Sequence, residues 1–268
     1  MPEFPCPAPV TVVVRVPTGA LEIVAEERET ALVDVQPYDD HPAAREAAER
    51  TTVDLRGDKL SVVAPDSGWL ARRTGALLVT IRVPLDSHLR LKTASADASC
   101  RGRFGSLDAD GSSGDLYAEH VTGDAKVKIA SGDVTADRVD GELHVGGSAG
   151  NVTAQHVGGP VDTRLASGNV EIGAAGTGVE ARTASGRVRI GAAGRGAVKV
   201  RTASGDVAVG VRSGTGVWLD LGTVSGHTSN DLDMTAGGDG QESHDLSVEV
   251  RTVSGDIAIR RVPAESAA

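Results

Sequence analysis

The residues best placed to do chemistry are acids and amides that return at one position of a short motif. Asp115, Asp133, Asn151, Asn169, Asp206 and Asp256 each follow a Ser-Gly or Ala-Gly pair, while Arg187 and His227 take the same place in two copies. A row of oxygen ligands at fixed spacing points to calcium, because the period is twice that of calcium-binding β-rolls. Those rolls repeat tandem glycines with a regular acid. Here the turns carry one Ser-Gly-Asp each, and the opposite turns hold no regular Asp. The pattern reads as Asx side chains hydrogen-bonding local backbone, with no metal site and no cofactor.

Outward charges form the second candidate. Asp108, Lys126, His144, Asp162 and Glu180 recur in one column; Asp110, Lys128, Arg164 and Arg182, with the related Arg201 and Arg251, recur in the next. Such a stripe could hold an acidic polymer. Acids at 162, 180 and 249 stand two residues before Arg164, Arg182 and Arg251. The stripe therefore reads as a solvated face, neutralised by pairs within and between repeats.

Other chemistries lack a constellation. His41, His88, His120, His144, His156, His227 and His244 show no metal-ligand spacing. The serines of Ser-Gly-Asp lack the G-x-S-x-G context of a hydrolase nucleophile. Gly173 to Gly178 is glycine-rich, but no Lys-Ser/Thr follows it as a phosphate loop requires. Sugar clefts use aromatic platforms, and Trp69, Trp218, Tyr38 and Tyr117 are few for one. The chain reads as a non-enzyme with no catalytic, cofactor or metal residues.

The elements that position these residues follow from the spacing. From Ser95 to Ser185 the motif returns every 18 residues five times, then after 19, 21 and 29. A fixed short period means stacked coils. Each copy holds two alternating stretches, such as Val161 to Leu165 and Val170 to Ile172, around a Ser-Gly turn. Stacking aligns like with like: Ala125, Leu143, Val161 and Val179 in one inward column; Val134, Val152, Val170, Val188 and Val207 in another; Ala136, Ala154, Ile172, Ile190 and Val209 in a third. The expected fold is all-β, a β-solenoid (β-helix) of about 18-residue coils over residues 85–262, with a tail at 263–268. Residues 231–243 read as an insertion before a closing coil at 246–259. Residues 1–84 lack the motif and read as a small antiparallel β segment with one short helix, Pro42 to Arg50, which caps the solenoid.

Composition agrees with narrow stacking. Six aromatics among 268 residues leave Val, Ala, Leu and Ile to build the core, and 34 glycines serve many turns. A formal charge of −10 opposes binding to nucleic acid or anionic lipid. Cys6 and Cys100 read as ordinary thiols. No signal-peptide pattern and no membrane-length apolar run is present, so the expectation is a soluble, cytoplasmic chain, with surface association still open.

The motifs Thr93-Ala94-Ser95, Thr183-Ala184-Ser185-Gly186, Thr202-Ala203-Ser204-Gly205-Asp206-Val207 and Thr252-Val253-Ser254-Gly255-Asp256-Ile257 carry a resemblance. Over nearly its whole length the chain resembles a bacterial β-strand-repeat family of unassigned function labelled "putative adhesin", with T-A-S-G-D-V coils behind a Val-rich β segment. The resemblance implies the fold and transfers no catalytic residue. The functional expectation is a non-enzymatic scaffold or protein-interaction module, partnered by another protein or by copies of itself. The alternatives are a surface adhesin or glycan-binding protein, and a catalytic β-helix acting on polysaccharide.

Overall fold

A computed structural model describes residues 2–65, 75–232 and 244–263. These contain 23 strands and one helix, so the chain is nearly all-β. It divides into two compact units, Met1–Val139 and Asp140–Ala268.

The coil is easiest to see in the second unit. Leu143–Ala149, Val161–Ser167, Val179–Ser185 and Gly196–Ser204 pair parallel in that order, with Leu143 opposite Val161, Val161 opposite Val179 and Val179 opposite Val198. Across the Ser-Gly corner, Val152–Val157, Val170–Ala175, Val188–Ala193 and Val207–Arg212 make a matching parallel ladder. Val152, Val170, Val188 and Val207 face inward, each no more than 2% exposed. Ile172, Ile190 and Val209 are buried beside them. Within this unit the expected columns hold, and the β-solenoid is the fold. Alternation puts every second side chain in the core, and stacking at about 4.8 Å puts like residues in contact.

The corner explains why the motif needs glycine. Gly168 has φ +132°, and a Cβ there would lie 1.8 Å from the carbonyl oxygen of Gly150 in the preceding coil. Glycine meets both demands, the left-handed backbone and the close stacking.

The end of this unit departs from sequence order. Strand Leu246–Ser254 pairs with Gly196–Ser204 on one side and with Val217–Ser225 on the other. Ile257–Val262 likewise lies between Val207–Arg212 and Thr228–Asn230. The coil at 246–262 is therefore interposed, and the coil at 217–230 is outermost. This corrects the expectation that residues 246–259 close the stack. The chain runs outward first and returns to fill the inner place. Of the expected insertion, residues 233–243 lie outside the described residues, as do 264–268 of the tail and Trp69.

The first unit repeats the arrangement. His88–Phe104 pairs parallel with Ser106–Ser113 and Leu116–Val121, which pair in turn with Ala125–Ser131 and Val134–Val139. Ala125, Val134 and Ala136 are buried opposite Leu107, Leu116 and Ala118. Strand Thr11–Glu26 runs through a whole coil in register with His88–Phe104, from Thr11 opposite His88 to Val24 opposite Arg101. On its other side it pairs parallel with Lys59–Val63 and Leu77–Pro84. Thr18, Gly19 and Ala20 sit opposite Ser95, Ala96 and Asp97, so a degenerate corner exists where the sequence shows no motif. Here too one coil is out of order, because Thr11–Glu26 lies inside residues 59–84.

Among the described residues of this unit, antiparallel pairing is confined to the outer strands: Glu3–Pro5 on Thr30–Pro37, Thr30–Pro37 on Leu77–Pro84, and Thr52–Arg56 on Lys59–Val63. The helix Pro42–Arg50 starts where the sequence expects. The His41 ring accepts the Ala43 N–H at 3.2 Å, Pro42 enters the first turn, and Ala44 is fully buried.

Candidate functional site

The recurring Asx residues are used structurally, and across coils rather than locally. The Asp115 N–H donates to Asp97 Oδ1 at 2.9 Å, and Asp133 N–H to Asp115 Oδ1 at 2.9 Å. In the second unit Asn169 N–H donates to Asn151 Oδ1 at 3.1 Å and Arg187 N–H to Asn169 Oδ1 at 2.9 Å. Asp256 N–H then donates to Asp206 Oδ1 at 3.0 Å, and His227 N–H to Asp256 Oδ1 at 2.8 Å. Each side chain anchors the next coil's corner, a bond worth about 0.5–1.5 kcal/mol net. His227 stands on the outermost coil among the described residues, and none of them forms a further coil beyond it. Among the described residues no group of three or more His, Cys, Asp or Glu could hold a metal ion.

Two histidines contact the coil beside their own. His88 Nδ1 lies 2.9 Å from Ser106 Oγ, and His144 Nδ1 lies 3.3 Å from Asp162 Oδ2. Cys6 and Cys100 are buried free thiols, and burial pushes Cys100 up to about 12.

The charged columns come together as expected and form the most developed surface. In the first unit Asp108 stands between Arg90 and Lys126, and Asp110 between Lys92 and Lys128. In the second, Arg164, Arg182, Arg201 and Arg251 stack in register on consecutive coils. Beside them run Asp162, Glu180, Lys199, Glu249 and Asp220. Arg164 pairs with Asp162 at 2.8 Å and Arg182 with Glu180, both within a coil. Arg201 reaches Glu249 at 3.4 Å and Arg251 reaches Asp220, both on the next coil outward. The hydrogen bond from Arg251 holds the Asp220 carboxyl below the usual carboxylate range. Gly222 makes room for that reach, since a Cβ there would lie 3.2 Å from Arg251 Cδ.

Flanking the arginines is a column that sequence reading passed over: exposed Ala166, Ala184 and Ala203, then Val253 at 56% exposure. Arginines and small apolar residues together line a groove of about 830 Å³. The signal lay in the A-S-G motif itself, whose first residue points outward.

A second groove, of about 630 Å³, lies in the first unit and is lined by Glu22, Asp97, Asp115, Asp133, Arg101 and Tyr117. The Tyr117 hydroxyl donates to Asp137 Oδ2 at 2.5 Å, which pushes its pKa up to about 12. No helix of the described residues is long and apolar enough to cross a membrane.

Solved structures similar to this chain include a "putative lipid binding protein" from Parabacteroides distasonis ATCC 8503, 11% identical with TM-score 0.44, covering 97% of this chain and 95% of its own. A "putative adhesin" from the same strain is 9% identical, with TM-score 0.42 and the same coverage. A "putative adhesin" from Bacteroides fragilis NCTC 9343 is 10% identical, with TM-score 0.38 and again 97% and 95% coverage. Comparison with curated proteins gives no match. The family model described as Toastrack DUF4097 matches residues 10–260, nearly the whole repeat-bearing chain, and the chain belongs to that family.

Proposed function

We propose that the chain is a non-enzymatic β-solenoid scaffold whose protein partner seats on the groove lined by Arg164, Arg182, Arg201 and Arg251. The observation that carries this reading is the pairing of an arginine ladder with an exposed Ala/Val column in one groove. Each arginine is steadied by a carboxylate, yet keeps its planar face and further N–H donors for a partner. Arginine is enriched at protein interfaces and among the residues that carry their binding energy, and the exposed alanines leave those side chains accessible.

Charge decides between a protein and a polyanion. Asp162, Glu180, Glu249 and Asp220 match the four arginines one for one and Lys199 adds a single positive charge, so the groove has little net field for an acidic polymer. A partner offering mixed polar and apolar contacts suits it better.

The test is capture from the native host with the full chain as bait, read by mass spectrometry. A protein retained by the wild type and lost with Arg182→Glu plus Arg201→Glu supports the reading. The same proteins retained by both baits overturn it. Recovery of the chain at the cell surface on fractionation would favour the adhesin alternative.

A further inference from the structure

The outermost coil of the second unit ends in a strand with one open edge. Among the described residues, Val217–Ser225 pairs only with Leu246–Ser254. The Leu246 N–H donates to the Gly216 carbonyl at 3.1 Å, so even-numbered carbonyls of this strand face inward as far as the corner, where the Gly255 N–H takes the Ser225 carbonyl at 3.0 Å. By alternation, the N–H and C=O groups of Val217, Leu219, Leu221 and Thr223 point to the open edge.

The side chains are as unfinished as the backbone. Leu219 and Leu221 are half-buried, while Val248 and Val250, their partners one coil inward, are 0% exposed. On the outer face, Trp218 is 47% exposed and Val224 84%. An edge of this kind pairs with another strand unless charge or proline blocks it, and its one acid, Asp220, is already held by Arg251.

The pattern along the edge is symmetric about Leu221. Antiparallel pairing of two copies there sets Leu221 against Leu221 and Leu219 against Thr223, using the outward backbone groups. Asp220 falls opposite Gly222, which has no side chain of its own and is overlain by Arg251. Trp218 falls opposite Val224 on the same face, at a non-hydrogen-bonded position where side chains approach closely. The two large exposed apolar residues of the edge cover each other.

We propose that two copies of this chain pair antiparallel along Val217–Ser225, about a two-fold axis at Leu221, with Trp218 of each copy covering Val224 of the other. The contact is isologous and closes at two copies. It extends the scaffold reading by naming one partner, a second copy, and it does not use Arg164, Arg182 or Arg201.

Light scattering on the purified full chain, from micromolar to sub-millimolar concentration, reads self-association without any host partner. Its outcome is therefore separable from the capture experiment. The wild type is expected to double in mass, and Trp218→Lys with Val224→Lys to stay monomeric with an unchanged circular dichroism spectrum. A cross-link fixes the register. At a non-hydrogen-bonded pair the Cα atoms are about 4.5 Å apart, within disulfide reach. Mild oxidation should link a mixture of Trp218→Cys and Val224→Cys chains, and neither variant alone. A wild type monomeric throughout, a lysine variant that still dimerises, or a dimer whose mixed cysteine chains do not link would each overturn the proposal.

Discussion

Asp256 accepts the backbone N–H of His227 at 2.8 Å, although it follows His227 by 29 residues in the chain. The acceptor therefore belongs to the inner coil and the donor to the outer one. That single bond reverses the order in which the last two coils of the second unit stack, and it sets where a defect is tolerated.

Replacing Ile257 with Asp should damage the fold, because Ile257 is 1% exposed and lies between Val207 and Thr228. A buried charge without a partner costs several kcal/mol or forces local opening. Thr228→Asp, on the exposed outermost coil, should change stability by less than about 0.5 kcal/mol. Hydrogen exchange checks this. Loss of protection in residues 196–212 is expected for Ile257→Asp and not for Thr228→Asp.

Gly168→Ala should cost more than Gly57→Ala, though both glycines have positive φ. A Cβ at Gly168 meets the Gly150 carbonyl at 1.8 Å, while one at Gly57 meets nothing within 4 Å. The Gly57 change is expected to cost about 1 kcal/mol from backbone conformation alone. Gly168→Ala should exceed it by a further 1–3 kcal/mol or so, read from urea midpoints. Equal midpoints would contradict the close stacking at the corner.

Tyr117 should titrate late. Its hydrogen bond to Asp137 favours the neutral phenol and pushes the pKa to about 12. Because the folded pKa is raised, the stabilisation is fully present below the unfolded value of about 10 and is lost as pH rises through about 12. In a Tyr38→Phe background, ultraviolet titration follows Tyr117 alone. Adding Asp137→Asn should move its midpoint down toward 10 or so.

Asn169→Ala removes the acceptor for the Arg187 N–H and should cost about 1 kcal/mol. Calcium should leave the wild-type melting temperature unchanged, since one oxygen each of Asp97, Asp115, Asn151, Asn169, Asp206 and Asp256 is already committed to the next coil. A rise with millimolar calcium that a chelator reverses would show that these oxygens serve a metal instead.

The period, the valine columns and the helix Pro42–Arg50 were legible because each follows from local pattern: alternation, Ser-Gly corners, a proline after a capping residue. Coil order was not, because Val248 packs against Val198 or Leu219 equally well by residue type. Only tertiary register separates them. The motif's fifth residue does not mark the order either. His227 offers no Asx acceptor, but neither does Arg187, whose coil has a successor. The corner at Gly19 was hidden for another reason: its partner Ala96 lies 77 residues on, far outside any short period. The arginine ladder was visible as a charge pattern. Its Ala166, Ala184 and Ala203 border was not, because alanine beside a turn gives no amphipathic signal.

The interposed coils also bear on how the chain can be made. A stack whose spatial order followed its sequence could grow one coil at a time as it left the ribosome. Here Thr11–Glu26 is emitted early but gains its two neighbours only once residues 59–104 exist. The 217–230 coil emerges before residues 246–262, the only described strands it pairs with. Each unit must therefore hold an incomplete edge open for a late arrival. Removing residues 244–268 would not shorten the array by one step; it would strand the outermost coil without its seat.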